Sequence, residues 1–176
     1  SLALIVLSVF LNLSTLTLKI YYATVSLSLC LSPFVAMMVN GINHPAEASV
    51  KRWYINDAKR ILKNSPNLKI IGVTGSYGKT STKYALSRVL SEKYNVVITP
   101  GSFNTTMGVV RTIREHLTRD AQVFVVEMGA KCKGDIKEIC DLVHPHLGVI
   151  TSVGPQHLNT FGNIETVLST KFELAD

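Results

Sequence analysis

Charge is almost absent from the first quarter of this sequence. Residues 1–46 contain one charged side chain, Lys19, and residues 20–46 contain none. The run from Ile20 to Val39 is about 20 residues long, which is the length of helix that crosses the hydrocarbon core of a bilayer. We therefore expect residues 1–46 to form a membrane-spanning apolar segment of one or two helices, the first of them truncated, in a chain that is a piece of a longer protein.

A signal-peptide cleavage site is also missing, because no small-residue motif is evident between Asn40 and His44. A buried core helix is the other alternative for the apolar run. The residues that follow the run are rich in positive charge: Lys51, Arg52, Lys59, Arg60 and Lys63. Because positive charge flanks the cytoplasmic end of a membrane span, we expect the rest of the chain to lie in the cytoplasm.

A break in the helical pattern is predicted at residues 43–46, which include Pro45. Residues 47–67 are expected to form a linker after this break. Apolar residues recur in the linker at helical spacing, which predicts an amphipathic helix from Glu47 to Lys63 that ends before Pro66.

Cysteine is scarce as well. The three cysteines form no C-x-x-C pair, which argues against a disulfide framework or a zinc site, and Cys140 is expected to be a buried thiol. The net charge of +6 does not by itself indicate nucleic acid, because much of it lies beside the apolar segment, where anionic lipid is a sufficient partner. We expect no nucleic-acid partner.

From residue 68 onwards, short apolar runs alternate with helical patterns. The predicted strands are Leu68–Val73, Asn95–Thr99, Val123–Val126 and Leu147–Val153, and the predicted helices are Lys79–Lys93, Met107–Leu117, Asp135–Val143 and a last one capped by Asn163. Strands that are apolar throughout are buried on both faces, as in a parallel sheet. The fold class predicted for residues 68–176 is therefore α/β, with a doubly wound, mostly parallel sheet, and ligands should bind at the carboxyl ends of its strands.

The first predicted strand ends in a phosphate-loop (P-loop) pattern that lacks one glycine. Val73 stands where the strict pattern GxxxxGK[ST] has its first glycine, and Gly75 takes the turn instead. Glycines let backbone N–H groups approach phosphate, and the helix N-terminus that follows adds partial positive charge. Lys79 is expected to reach the β- and γ-phosphates of ATP, and the Thr80 hydroxyl to bind Mg²⁺. The predicted nucleotide-binding residues are Thr74, Gly75, Ser76, Tyr77, Gly78, Lys79, Thr80 and Ser81.

Polar residues also follow two other predicted strands. Glu127 ends the strand Val123–Val126, where an NTPase places a carboxylate ligand for its metal. A solvated strand-terminal carboxylate is the ordinary alternative. The loop from Thr99 to Gly108 follows the second strand and is rich in small polar residues, although such loops are common and the pattern alone is a weak signal.

Lys171 stands out on the last predicted helix, where it shares a face with Ile164, Val167 and Leu168. A lysine on an apolar stripe costs desolvation unless it is modified or paired. A snorkelling lysine is the ordinary alternative.

The segment from Gly72 to Lys83, with its shortened core Thr-Gly-x-x-Gly-Lys-Thr, resembles the Mur ligase family and is most similar to the MurF branch. The resemblance covers residues 68–176, roughly the first half of the central domain of that family. It implies an ATP-dependent ligase with ATP and Mg²⁺ as cofactors. The implied catalytic residues are Lys79, Lys171, Glu127 and His157; the implied metal ligands are Thr80, Glu127, His157 and Lys171 if carbamylated; the implied substrate contacts are Asn104, Thr105 and Thr106.

The resemblance also implies a reaction in bacterial peptidoglycan synthesis. A UDP-MurNAc-tripeptide carboxylate would become an acyl phosphate, and the amine of D-alanyl-D-alanine would displace the phosphate. However, an apolar segment stands where the family has its UDP-sugar domain. Two alternatives therefore stay open: a membrane-bound relative that acts on poly-γ-glutamate or a lipid-linked precursor, and a membrane-tethered P-loop ATPase that is not a ligase.

Overall fold

The computed structural model describes residues 2–156 and 158–175 of the chain, and the side chains of residues 14–156 and 159–175. These residues fall into two compact units, residues 1–50 and residues 51–176. His157, which the family resemblance implies as a metal ligand, lies outside the described residues.

The first helix, α1, is much longer than the sequence predicts. It runs without interruption from Leu2 to Lys63 and contains both Pro33 and Pro45, so the predicted break at residues 43–46 is wrong. A proline inside a helix removes one hydrogen bond and kinks the axis, but it does not have to end the helix. Ser49 Oγ donates to the carbonyl of Pro45 at 2.8 Å in this region.

The apolar part of α1 is exposed along its described length, with every side chain from residue 14 to residue 47 open to solvent. Within the described chain, α1 is the one helix long and apolar enough to cross a membrane, and none of its apolar window is buried in protein. Length and composition are weak criteria, because signal sequences also meet them.

The second unit alternates strands and helices, as the sequence predicts. The strands are β1 (Lys69–Thr74), β2 (Val96–Ile98), β3 (Val123–Glu127) and β4 (Leu147–Ile150). The helices are α2 (Lys79–Leu90), α3 (Thr106–His116), α4 (Asp135–Val143), α5 (Leu158–Phe161) and α6 (Ile164–Phe172). The short helix α5 was not predicted, and β4 ends three residues earlier than predicted because the chain leaves the sheet to contact the β1–α2 turn.

The four strands form one parallel sheet in the order β2-β3-β1-β4. The predicted parallel α/β architecture is therefore confirmed. β1 lies between β3 and β4, with Val73 opposite Glu127 and Thr74 opposite Ile150. This register brings the carboxyl ends of β1, β3 and β4 to one edge of the sheet, where the loops that follow them meet.

Both faces of the two central strands, β1 and β3, are buried, and successive residues alternate between the two faces. On one face, Ile70, Phe124 and Val126 belong to a core that includes α3, α4 and the last turns of α1. On the other face, Val73 and Val125 belong to a second core, against which Leu86 and Leu90 of α2 pack. Burial on both sides explains why β1 and β3 are apolar throughout.

The apolar residues of α2 and α6 are not all buried. On α2, Val89 is 72% exposed, whereas Lys83 is fully buried. On α6, Asn163 caps the helix as predicted, since its Oδ1 accepts from the N–H of Thr166 at 2.8 Å. The buried face of α6 is nevertheless made by Val167, Thr170 and Lys171, while Ile164 and Leu168 are exposed.

Candidate functional site

The turn between β1 and α2 depends on two glycines. Gly75 has φ +147° and Gly78, which caps α2, has φ +79°, conformations that other residues adopt only with strain. Gly75 is also sterically constrained, because a Cβ there would collide with Thr151 Oγ1. The conformation of the turn therefore requires glycine at positions 75 and 78, as the sequence pattern predicts.

The turn is hydrogen-bonded to the segment that follows β4. The N–H of Ser76 donates to the carbonyl of Ser152 at 2.7 Å, and Ser76 Oγ donates to the carbonyl of Gly154 at 3.0 Å. The N–H of Tyr77 donates to Ser152 Oγ at 3.2 Å. These bonds fix the turn, and they also mean that the N–H groups of Ser76 and Tyr77 already have acceptors in the protein.

Lys79, the first residue of α2, folds back over this turn. Its Nζ donates to the carbonyl of Gly75 at 2.7 Å and to the carbonyl of Ser76 at 3.2 Å. Burial lowers the pKa of Lys79 below its usual value, and the nearby carboxylate of Glu127 opposes that shift. The ammonium therefore lies directly above the turn, held by carbonyl groups that an anion would displace.

Glu127 lies at the end of β3 and is 1% exposed. Thr80 Oγ1 donates to its Oε2 at 3.0 Å, and Asn104 Nδ2 donates to its Oε1 at 3.2 Å. The N–H of Glu127 donates to Thr99 Oγ1 at 3.1 Å. The structure thus brings together three residues that the sequence analysis singled out separately: Thr80, Asn104 and Glu127.

Lys83 completes this arrangement, and the sequence analysis did not assign it any part in the site. Its Nζ lies 3.0 Å from Glu127 Oε2, and both side chains are at most 1% exposed. The same Nζ donates to the carbonyl of Gly101, in the turn after β2. Its spacing in the sequence could have indicated this position. Lys83 follows Thr80 by three residues, and residues three apart on a helix lie on the same face.

Lys171 is 2% exposed and lies on α6. Burial lowers its pKa to about 8, and the positive charge of Lys79 acts in the same direction, while Asp135 and Glu173 oppose the shift. Two residues after Lys171, the Glu173 carboxylate accepts from the N–H of Gly134 at 2.8 Å and from the N–H of Lys137 at 3.0 Å, which joins the end of α6 to the start of α4. A pKa near 8 leaves part of this amine neutral at physiological pH.

A cavity of about 400 Å³ connects these lysines with the loop after β2. Its walls include both charged and small polar side chains: Lys51, Lys79, Asn104, Thr105, Thr106, Lys131, Asp135, Glu138, Gln156 and Lys171. The cavity is large enough for a small-molecule group, and its lining has four lysines and two carboxylates. The structure therefore places Lys79, Asn104 and Lys171 around one space.

Other predicted site residues have structural partners. Thr74 Oγ1 donates to the carbonyl of Met128 at 2.9 Å in the buried sheet. Thr105 caps α3 by accepting from the N–H of Gly108, and Thr106 Oγ1 donates to Glu138 at 2.7 Å. Ser81 is exposed on α2. These contacts position the loops, and the predicted ligand contacts of these residues stay predictions.

Comparison with known proteins identifies the domain. The profile of the Mur ligase middle domain matches residues 73–176, which is more than half of the chain. This chain belongs to the Mur ligase family. The Mur ligase match begins at Val73, just before the glycine turn, and includes α2, β3 and α6, which carry Lys79, Glu127 and Lys171.

Similar proteins of known name are ligases of the MurF type. The UDP-N-acetylmuramoyl-tripeptide--D-alanyl-D-alanine ligase of Mycobacterium tuberculosis is 42% identical over 107 residues, which is 61% of this chain and 21% of that protein. The ligase of the same name from Bacillus subtilis is 37% identical over 106 residues, which is 60% of this chain and 23% of that protein. This chain thus spans about a fifth of the length of these relatives.

Solved structures agree with the sequence matches. MurF from Thermotoga maritima in complex with ADP is 36% identical, with a TM-score of 0.66, over 70% of this chain and 28% of that chain. MurF from Acinetobacter baumannii is 34% identical, with a TM-score of 0.64, over 66% of this chain and 26% of that chain. The fold of the Mur ligase middle domain is thus shared at the level of both sequence and coordinates.

Proposed function

We propose that this chain carries the ATP-binding part of an ATP-dependent amide ligase that adds D-alanyl-D-alanine to a UDP-MurNAc-tripeptide. The observation that carries the proposal is the contact between Thr80 Oγ1 and Glu127 Oε2 at 3.0 Å, directly beside Lys79. A hydroxyl at a helix N-terminus, a strand-end carboxylate and a lysine above a glycine turn are the groups that a phosphate-bound metal requires.

The turn from Gly75 to Gly78 is the proposed P-loop. The first N–H groups of α2 have no acceptor within the helix, and together with the helix dipole they favour an anion. ATP phosphates bound there would replace the carbonyls of Gly75 and Ser76 as partners of Lys79. The two positive φ angles support this proposal because they favour glycine. Glycine has no side chain that would keep phosphates away from the backbone N–H groups.

The residues at this position suit Mg²⁺. Magnesium binds oxygen ligands and commonly uses one or two carboxylates together with substrate phosphates. Among the described side chains, no group of three His, Cys, Asp or Glu could hold a metal, so the ion would depend on Thr80, Glu127 and phosphate oxygens. Carbamylated Lys171, and His157 beyond the described residues, are the proposed further ligands.

The proposed mechanism proceeds in two displacements. An oxygen of the substrate carboxylate attacks the γ-phosphorus of ATP, ADP leaves, and an acyl phosphate forms. The incoming amine attacks the acyl carbon, phosphate leaves, and the nitrogen loses a proton. Lys79 and the N–H groups at the start of α2 stabilise the negative charge that develops on the transferred phosphoryl group. Bound Mg²⁺ supplies additional neutralisation of the phosphate oxygens.

The cavity that contains Asn104 and Lys171 is the proposed place of the acyl phosphate. Lys79 and Lys131 also line it. Its lysines favour a carboxylate, and its polar residues can orient a peptide group. The names of the similar ligases support the choice of UDP-MurNAc-tripeptide and D-alanyl-D-alanine as the substrates to test.

The substrate dependence of phosphate release tests the proposal. The full-length protein would be incubated with Mg²⁺ and ATP, and phosphate would be measured with the UDP-MurNAc-tripeptide, with D-alanyl-D-alanine, with both and with neither. We expect sustained release, equimolar with amide product, only when both are present. Release that is independent of both substrates would reject the ligase and favour a P-loop ATPase of another kind.

We also propose that α1 anchors the protein in the membrane, with the second unit in the cytoplasm. Support comes from the uncharged run of residues 20–46 and from its exposure on every side of the helix. Exposed basic residues follow the run at Arg52, Lys59 and Lys63, which fits the cytoplasmic side of a span.

A further inference from the structure

Lys83 is a fully buried cation whose contacts are unlike those of a surface lysine. Its Nζ contacts the carboxylate of Glu127 at the end of β3 and the carbonyl of Gly101 in the turn after β2. It therefore joins α2 to two strand ends at the edge of the sheet where the phosphate site is proposed. A buried ammonium is unfavourable unless its partners are well placed, so these contacts also fix the positions of those partners.

Glu127 Oε2 has two donors from one helix face. Thr80 and Lys83 are three residues apart on α2, and each places its donor atom 3.0 Å from this oxygen. The other oxygen, Oε1, accepts from Asn104. The carboxylate is thus held in a single orientation, with Lys83 as its ion-pair partner among the described side chains.

We infer that Lys83 is a positioning residue for the metal–nucleotide site: it holds the Glu127 carboxylate and the Gly101 turn so that Glu127 and Thr80 face the same ion. The inference rests on the proposed function, because it requires that Glu127 bind a metal. Lys83 itself touches neither substrate nor metal and acts through Glu127. Outer partners of metal-binding carboxylates commonly change metal affinity by about 10–100-fold when they are removed.

Metal binding, rather than activity, is the measurement that separates this role from a purely structural one. Mn²⁺ would be used as a paramagnetic substitute for Mg²⁺, and its binding in the presence of ATP would be measured by electron paramagnetic resonance on the full-length protein. The variants are Lys83→Met, Glu127→Gln and the double variant. Lys69→Met is the matched control, because Lys69 is an exposed lysine at the opposite end of β1.

We expect Lys83→Met to weaken Mn²⁺–ATP binding at least about tenfold, and Lys69→Met to leave it unchanged. In the Glu127→Gln background, Lys83→Met should change the affinity by less than about twofold, because residues that act through one contact are not additive. If Lys83→Met does not fold, Lys83→Gln takes its place, since its neutral amide removes the charge that pairs with Glu127. The same tenfold loss and the same non-additivity are then expected.

Three outcomes would overturn the inference. Unchanged Mn²⁺–ATP affinity in a folded Lys83 variant would show that Glu127 needs no help from Lys83. An equal loss in the Glu127→Gln background would show that Lys83 acts elsewhere. A parent protein that binds no Mn²⁺–ATP would reject the proposed function as well, whereas the first two outcomes leave the proposed function intact.

Discussion

Lys79 Nζ and the carbonyl oxygen of Gly75 lie 2.7 Å apart, so the lysine at the head of α2 bonds to the turn that precedes it. The side chain is already above the place where phosphates are proposed to bind. No strand or helix of the fold depends on this contact, because it closes only a short turn. Lys79 is therefore expected to contribute to ligand binding more than to folding.

The first prediction is that Lys79→Ala removes ATP turnover and leaves the fold intact. A charge that stabilises the transition state commonly contributes about 10²–10³-fold in rate, and we expect a loss of at least that size. Phosphate release with both substrates would be compared with the parent, and circular dichroism would report the fold. Lys69→Ala is the matched control, since Lys69 is exposed at the far end of β1. Near-normal release by Lys79→Ala would reject its assigned function.

Gly75 offers a second prediction, because two effects act at this position. Gly75→Ala should suffer a strained backbone at φ +147° and a collision with Thr151 Oγ1, and it should lose ATP binding. Gly134→Ala separates the two effects, because Gly134 has φ +95° but open space around it. We expect backbone strain to lower the free energy of unfolding of this control by about 1–3 kcal/mol. Its ATP binding should be unchanged. Equal ATP affinity in both variants would contradict a phosphate-binding turn at Gly75.

The third prediction concerns the amine of Lys171. Burial lowers its pKa to about 8, so more of it is neutral near pH 7 than for an ordinary lysine, and CO₂ reacts with the neutral form. Lys171→Ala should lose ligation at least about a hundredfold, and formate or acetate should partly restore it by filling the vacated anionic position. Glu127→Ala is the control that these small carboxylates should not rescue, because it removes a different ligand.

Two results would count against this account of Lys171. Full ligation by Lys171→Ala would show that the amine is not needed, and equal rescue of both variants would show that the added carboxylate acts non-specifically. Rates would be measured at constant ionic strength, so that the added salt does not itself change binding.

The fourth prediction is that the full-length protein is found with the membrane fraction. Residues 20–46 contain no charge and expose their side chains along α1, and water is a poor environment for such a surface. The protein should sediment with membranes in high salt and should be released by detergent. Recovery in the soluble fraction at low salt, without detergent, would contradict the anchor.

The strands of the sheet were predictable from sequence because burial on both faces leaves a direct signal. Ile70, Ile71 and Val73 pack on opposite sides of β1, so the strand reads as continuously apolar. The positions of Lys79 and Glu127 followed from the same reasoning, since each lies near the carboxyl end of a strand whose end was evident. A pattern of apolar residues shows which segments are buried, and it detects β1 and β3 because apolar residues fill both.

Buried polar contacts were not predictable in this way. The burial of Lys83 is not predictable, because a pattern of apolar residues cannot show that a lysine has a carboxylate partner on a distant strand. The hydrogen bonds from Ser76 to the carbonyls of Ser152 and Gly154 are not predictable for the same reason. Pro45 predicts a break that α1 does not have, because a proline inside a helix does not have to end it.

The fate of the substrate oxygens is the most direct test of the central claim, that this Mur ligase domain activates a carboxylate with ATP. The UDP-MurNAc-tripeptide would carry ¹⁸O in both oxygens of its terminal carboxylate, and the phosphate released during ligation would be analysed by mass spectrometry. An acyl phosphate requires that one labelled oxygen appear in each phosphate and that the other remain in the new amide. Unlabelled phosphate, released while ATP is consumed, would contradict the account.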